Sequence, residues 1–461
     1  MNTATRNLSR RAFLKRGACA ALGTTGLLST LAQLRVLAAG VSGQSAFSVS
    51  SGDYKALVCV FLYGGNDANN LIVPYEQQAY DNYARSRSIL ALPRSDVLPI
   101  SPLGGGNYAF HPAATGLQTL FAERRLAVLA NVGTLIAPVT RAEYRSGSAA
   151  LPAQLFSHSD QSVQWQMALP DSSRKIGWGG RVADLMASLN ENEQISMAVS
   201  LAGINTWQAG NQTVVYPVSH DGVVGIDMLE REWVDPVRKD AFTGLLEQER
   251  RNLFERSIAG STSRTIENNR LIAAALDQTP PPVTPFPETE LGRQLRMIAR
   301  LARIGPTLGF RRQIFFASMG GWDTHDGQID AHSELVGELA AAFLAFNRAT
   351  VEYGIEDKAT VFTASDFGRT FSTNGKGSDH GWGNHHLVMG GAVQGGRIFG
   401  RFPELIVNGP DDTGQGRWIP TTSVDQYSAT LARWFGVDAS NLPELFPNIG
   451  NFASSDLGFM S

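Results

Sequence analysis

Apolar runs of strand length alternate along this chain with glycine- and acid-bearing loops and with stretches of helical spacing. The clearest run is Tyr54-Lys55-Ala56-Leu57-Val58-Cys59-Val60-Phe61-Leu62-Tyr63. Its near continuity and β-branched content predict a strand covered on both faces, as in a parallel sheet. It stops abruptly at Gly64-Gly65-Asn66-Asp67. Residues 125–133 form the second clear strand candidate, and 195–201 with 213–218 read as a pair on a more peripheral sheet. Residues 313–317 and 360–364 are further strands, each opening into a polar loop. Between them Leu335, Leu339, Phe343 and Phe346 recur at helical spacing, and 387–389 and 397–399 supply later strands. Strand, loop and helix in alternation predict βαβ units and a mainly parallel sheet.

Other segments are helical or irregular. Residues 162–168 read as an aromatic helix that Ser157, Ser159 or Asp160 could cap. Residues 221–287 change character and suggest a helical excursion within a single domain spanning 53–461. Within it, 235–258 is a charged helix with Pro236 in its first turn, 265–277 is a second helix, and the proline-rich 279–287 is a stiff linker. A helix over 292–304 is stopped by Gly305-Pro306, and 423–435 is a capped amphipathic helix ending at Gly436.

The N-terminus changes how composition is read. Ser9-Arg10-Arg11-Ala12-Phe13-Leu14-Lys15, a modestly apolar stretch and a small-residue site at Val36-Leu37-Ala38-Ala39 have the form of a twin-arginine export signal over residues 1–38. A flexible Ser/Gly-rich leader, 39–52, follows. The expected partner is the twin-arginine translocase, the expected location the periplasm or exterior, and no membrane span is expected after cleavage. Six basic residues and no acid leave with the signal, so the formal charge goes from −3 to −3 − 6 = −9. Such a balance is not built to neutralise nucleic-acid phosphates. Cys19 leaves as well, and Cys59 alone remains, which excludes an intramolecular disulfide.

Candidate chemistry gathers in three patches. Four of the eight histidines lie in Ser318–His325 or Gly377–His386, and Thr363–Thr370 adds Asp366. Asp67, Asp323, His325 and Asp366 each lie just past a strand end, and His380 follows in a glycine-rich loop. Open α/β sheets bind ligands at such strand ends. Carboxylates and imidazoles there are ligands for Zn²⁺ above all, with Mn²⁺, Mg²⁺ or Ca²⁺ as other candidates, and two such ions can clamp an oxyanion. Each Asp by itself is equally a turn residue that serves the backbone.

The patches Gly64-Gly65-Asn66-Asp67, Gly320-Gly321-Trp322-Asp323-Thr324-His325, Phe367-Gly368-Arg369-Thr370 and Asp379-His380-Gly381 occur together with a C-terminal Leu431-Ala432-Arg433-Trp434-Phe435-Gly436. In these the chain is similar to a large family of twin-arginine-exported bacterial proteins of unknown function, itself resembling the alkaline phosphatase and sulfatase superfamily. The resemblance implies an α/β fold: an alkaline-phosphatase-like three-layer sandwich with a mainly parallel central sheet and helices on both faces. It makes Asp67 the first-strand metal carboxylate, Asp323 and His325 a ligand pair, Asp366 the acid of an Asp-His-Gly motif, and His380 the late histidine ligand. Phe367 stands where that motif has its histidine. His385 and His386 become substitute or supporting groups, and Asn66 and Arg369 anion holders. Ser157 or Ser159 falls near the nucleophile position, and His158 is a ligand or base.

The implied activity is an exported metal-dependent hydrolase or phosphotransferase. Its substrates are phosphate esters in preference to sulfate esters, because the Cys/Ser-x-Pro-x-Arg pentapeptide of formylglycine sulfatases is absent. The alternative is a non-catalytic envelope or secreted protein that binds a metal or an anionic polymer.

Overall fold

The computed structural model describes residues 53–169, 175–192, 194–223, 229, 235–249 and 251–461. The signal and leader assigned to 1–52 lie outside the described residues. Among those described, no helix is long and apolar enough to cross a membrane.

The first apolar run is the strand β1 (Lys55–Leu62), and every residue from Ala56 to Leu62 is buried. The other strands that matter here are β2 (Leu126–Gly133), β3 (Ala198–Ser200), β4 (Tyr216–Ser219), β5 (Arg312–Met319), β6 (Ala359–Ser365), β7 (Arg369–Thr373), β8 (Ser378–His380) and β9 (Asn384–Met389). Among the described residues the central sheet has ten strands, in the order 398–399, β2, β9, β6, β1, β5, β3, β4, 222–223, with 422–423 also paired to β2. Only β9 and 222–223 run antiparallel to their neighbours. β1 sits in the middle, with Cys59 level with Phe316 on one side and Phe362 on the other. Full burial of such side chains stabilises by about 1.5–3 kcal/mol each, which explains why β1 carries no alternating polar face.

The longer helices among the described residues are α1 (Gln77–Arg87), α2 (Thr115–Ala122), α3 (His158–Met167), α4 (Trp178–Met186), α5 (Pro236–Glu247), α6 (Leu253–Asp277), α7 (Glu290–Ile304), α8 (Gln328–Glu352) and α9 (Val424–Phe435). They cover both faces of the sheet. α2 and α7 both pack on α8 in one layer. In the other, Trp178 of α4 and Tyr427 of α9 set their rings 5.5 and 5.9 Å from Phe362, and Trp165 of α3 lies 6.4 Å from Tyr427. The result is an α/β three-layer sandwich with a mainly parallel sheet.

Three expectations are corrected. The pair expected on a peripheral sheet lies in the central one, because β3 is parallel to β5 through Val199 and Phe315. The helix expected from 162 begins at His158. The expected helix over 235–258 is broken at Gln248, which is extended. Asn252 then caps a new helix by accepting from the Phe254 and Glu255 N–H groups, so α6 runs unbroken to Asp277.

Four histidines are buried in this frame: His111, His332, His385 and His386. Burial pushes His111, His385 and His386 down to about 3 and His332 to about 4, from an ordinary value of 6.5. They stay neutral when folded, whereas the unfolded chain protonates them below 6.5. Stability is therefore full above pH 6.5 and falls as pH drops toward 4, because the unfolded state takes up more protons. Denaturant titrations should show this loss across that window, with unfolding at pH 5 coupled to uptake of several protons, and His386→Phe should flatten the dependence.

Candidate metal centre

Three neighbouring parallel strands, β1, β5 and β6, end on the same side of the sheet, and their loops meet there. Two glycines permit the meeting. Gly64 and Gly65 have φ of +116° and +83°, in the left-handed region. A Cβ on Gly64 would strike the backbone of Trp322 and Asp323, and one on Gly65 would lie 2.6 Å from Phe367 Cε2. The Gly64 N–H donates to Asp366 Oδ2 at 3.0 Å, and its carbonyl accepts from Arg369 Nη1 at 3.2 Å. β7 and β8 form a small antiparallel ribbon in which Arg369 faces His380, bringing that histidine over the strand ends.

At this point His158, Asp323 and His380 offer ligand atoms that all lie within 4.8 Å of one another. His158 Nε2 is 3.0 Å from His380 Nε2 and 3.4 Å from Asp323 Oδ1. His325 joins them, its Nε2 3.0 Å from both His380 Nε2 and Asp323 Oδ1. Each imidazole is held through its other nitrogen. His158 Nδ1 meets Asp366 Oδ2 at 2.7 Å, His325 Nδ1 meets Asp379 Oδ1 at 3.2 Å, and His380 Nδ1 donates to the Phe156 carbonyl at 2.7 Å. Such partners hold the proton on Nδ1 and leave Nε2 a bare lone pair, the arrangement of metal-binding histidines. Three lone pairs and a carboxylate oxygen converging within hydrogen-bond distance repel one another unless a cation lies between them. Tetrahedral metal–nitrogen bonds of about 2.0–2.1 Å put ligand atoms about 3.3–3.4 Å apart, close to the spacing here.

The electrostatics suit such a set. Burial works to raise the Asp323 carboxyl, but its 2.6 Å ion pair with Arg369 and the nearby His325 and His158 outweigh it and hold it below the usual range. Desolvation lowers His380, which keeps it neutral, and burial raises Asp366 against the pull of His158. Ligands must be ionised carboxylate and neutral imidazole, and Asp323 and His380 are held in those states near neutral pH. One side is open to solvent, the Asp323 and His325 side chains being 45% and 43% exposed.

The remaining expected residues lie around or apart from this cluster. Asp366 faces His158 rather than the converging nitrogens. Asp67 is fully buried, and its Oδ2 takes Arg87 Nη2 and Gln328 Nε2. Asn66 is buried with its side-chain oxygen toward His332. Arg369 is buried, its donors directed to Asp323, Gly64 and the Ser378 carbonyl. Ser157 stands at the N-cap of α3 without capping it, and its hydroxyl donates to Asp160 Oδ2 at 2.6 Å, with Ser159 Oγ 3.2 Å away. His385 and His386 are core residues: His385 Nδ1 accepts from the Asn131 N–H, and the His386 ring lies 4.5 Å from Trp165. Phe367 is buried with its ring 4.7 Å from His158 and 4.8 Å from His380.

Several participants escape sequence reasoning. Phe156 presents its carbonyl from a φ of +73°, a strained value for a side chain of its size. Arg417 donates Nε–H to the His380 carbonyl at 2.8 Å, lies 5.2 Å over the Phe156 ring, and its charge helps to hold the Asp379 carboxyl low. Asp379 was legible only as a neighbour of His380, and Arg87 and Gln328 carried no signal beyond ordinary polar helix positions.

No curated protein matches the chain significantly. Among solved structures it is similar to Ps i-CgsB bound to k-i-k-neocarrahexaose, at 10% identity over 86% of this chain and 77% of that one, with a TM-score of 0.33. A second structure of Ps i-CgsB gives 11% identity over 86% and 77%, with a TM-score of 0.31. A mutant of the alkaline phosphatase PafA gives 11% identity over 69% of this chain and 64% of that one, with a TM-score of 0.28. These likenesses are loose. The segment that carries Asp323, His325, Asp366 and His380, residues 293–445, matches the family described as "Protein of unknown function (DUF1501)".

Proposed function

We propose that the chain is an exported metal-dependent hydrolase or phosphotransferase acting on phosphate esters, in preference to sulfate esters. The observation that carries this reading is the convergence of three Nδ1-anchored imidazoles on one Asp323 oxygen, open to solvent on one side. A nitrogen-rich set of this kind suits Zn²⁺, and an open position is what distinguishes catalytic from structural sites. A divalent ion supplies Lewis acidity at that spot. The protein's part is positional. Asp366, Asp379 and the Phe156 carbonyl aim the imidazoles, Arg369 fixes Asp323, and Phe367 keeps water from the back of His158 and His380. Arg417 supplies a positive charge beside the centre to hold an anionic group. The twin-arginine signal read in residues 1–38 would take the protein through that translocase to the periplasm or the exterior.

A second reading, a non-catalytic metal- or anion-binding envelope or secreted protein, is supported by a separate observation. The Ser157 hydroxyl is directed to Asp160, with Ser159 beside it, so neither serine is aimed at the cluster by a hydrogen bond.

Purified mature protein should contain stoichiometric divalent metal by elemental analysis and hydrolyse members of a phosphomonoester and phosphodiester panel. His325→Ala and Asp323→Ala should abolish both. Asp366→Asn, which disturbs the orientation of His158 and the Gly64 N–H contact without removing a ligand from the cluster, should weaken metal binding by about 10–100-fold. Metal without turnover on any ester would favour the binding protein, and absence of metal would sink the metal site in both readings.

Arg417→Ala should raise KM for anionic esters by about tenfold or more with metal content unchanged, the loss expected for a charge-assisted contact. Equal KM values for the two proteins would remove Arg417 from the site.

A further inference from the structure

Resting on the metal reading above, we propose that the centre is mononuclear, and that Arg87 rather than a second ion balances Asp67. Asp67 lies at the end of β1, where a second carboxylate ligand would be expected, yet both it and Arg87 are fully buried and paired. Arg87 is fixed from every side. Its Nε donates to Asn70 Oδ1 at 3.1 Å, and its Nη1 to the carbonyls of Thr370 and Phe371, both at 3.1 Å. The guanidinium brings a permanent unit of positive charge to the place where a cation would otherwise be required.

Two further observations close the same position. Gln328 donates to the Asp67 oxygen that Arg87 holds, and its own carbonyl accepts from Ser378 Oγ at 2.6 Å. Ser378 in turn accepts at its backbone oxygen from Arg369, the residue that grips Asp323. Asp67 Oδ1 is buried without a hydrogen bond. Among the described residues, however, no second group of three ligating side chains gathers near it. Phe367 then sets an apolar ring, which offers no donor to an ion, against His158 and His380.

The test is a titration of the full mature chain with Co²⁺ alone, read by the visible absorption of the bound ion and by elemental analysis after desalting. The expected result is one equivalent per chain. The double variant Asp67→Asn/Arg87→Gln removes both charges together and so leaves no buried charge unpaired. It should still bind one equivalent, with its dissociation constant shifted by less than about tenfold, whereas His158→Ala should lose the ion. Two equivalents in the native chain, with the second lost in the double variant, would overturn the mononuclear assignment and leave the metal reading standing. No bound cobalt in the native chain would overturn the metal reading and this assignment with it.

Discussion

Negative charge gathered at the ends of parallel strands has to be balanced inside the protein, and the rest of the site follows from how that is done. Three aspartates end up within or beside the loops that follow β1, β5 and β6. Each has its own partner. Asp67 is matched to a buried guanidinium, Asp323 to Arg369, and Asp366 to an imidazole and a backbone N–H. An unpaired carboxylate at the two buried positions, Asp67 and Asp366, would cost several kcal/mol. The paired arrangement converts that cost into orientation, since both guanidinium partners are themselves anchored to backbone carbonyls.

The fold was largely legible because its strongest signals are physical and local. The run from Ala56 to Leu62 has no polar face to offer water, so only the middle of a covered sheet can hold it. The loops that follow β1, β5 and β6 were legible for the same reason: an apolar run that ends in glycines and acids marks a strand end. Boundaries were less legible where a side chain decides them. Asn252 restarts a helix by capping two N–H groups, and nothing in the charged pattern around it announces the break at Gln248.

The site was legible in residue type but less so in role. His158 could be read as a ligand or a base, and its place in the cluster depends on α3 beginning at that residue. Arg87 illustrates the limit. An arginine at the end of a polar helix is ordinarily solvated, and only the return of the chain at Thr370 and Phe371 buries it. His385 and His386 show the opposite case. Adjacent to the site in sequence, they lie within a buried strand, where alternation sends one ring toward Phe402 and the other toward Trp165.

The position of β1 has a consequence for how the molecule comes into being. The first strand of the described chain lies between the strands that begin at Arg312 and Ala359, so its hydrogen-bonding partners are among the last large elements to be synthesised. Contacts of such long sequence separation slow folding, because the intervening chain must be ordered before they form. The amino-terminal half therefore emerges with an exposed apolar strand and no local partner for it. A nascent chain of this topology depends on being kept from aggregation until its carboxyl-terminal third arrives.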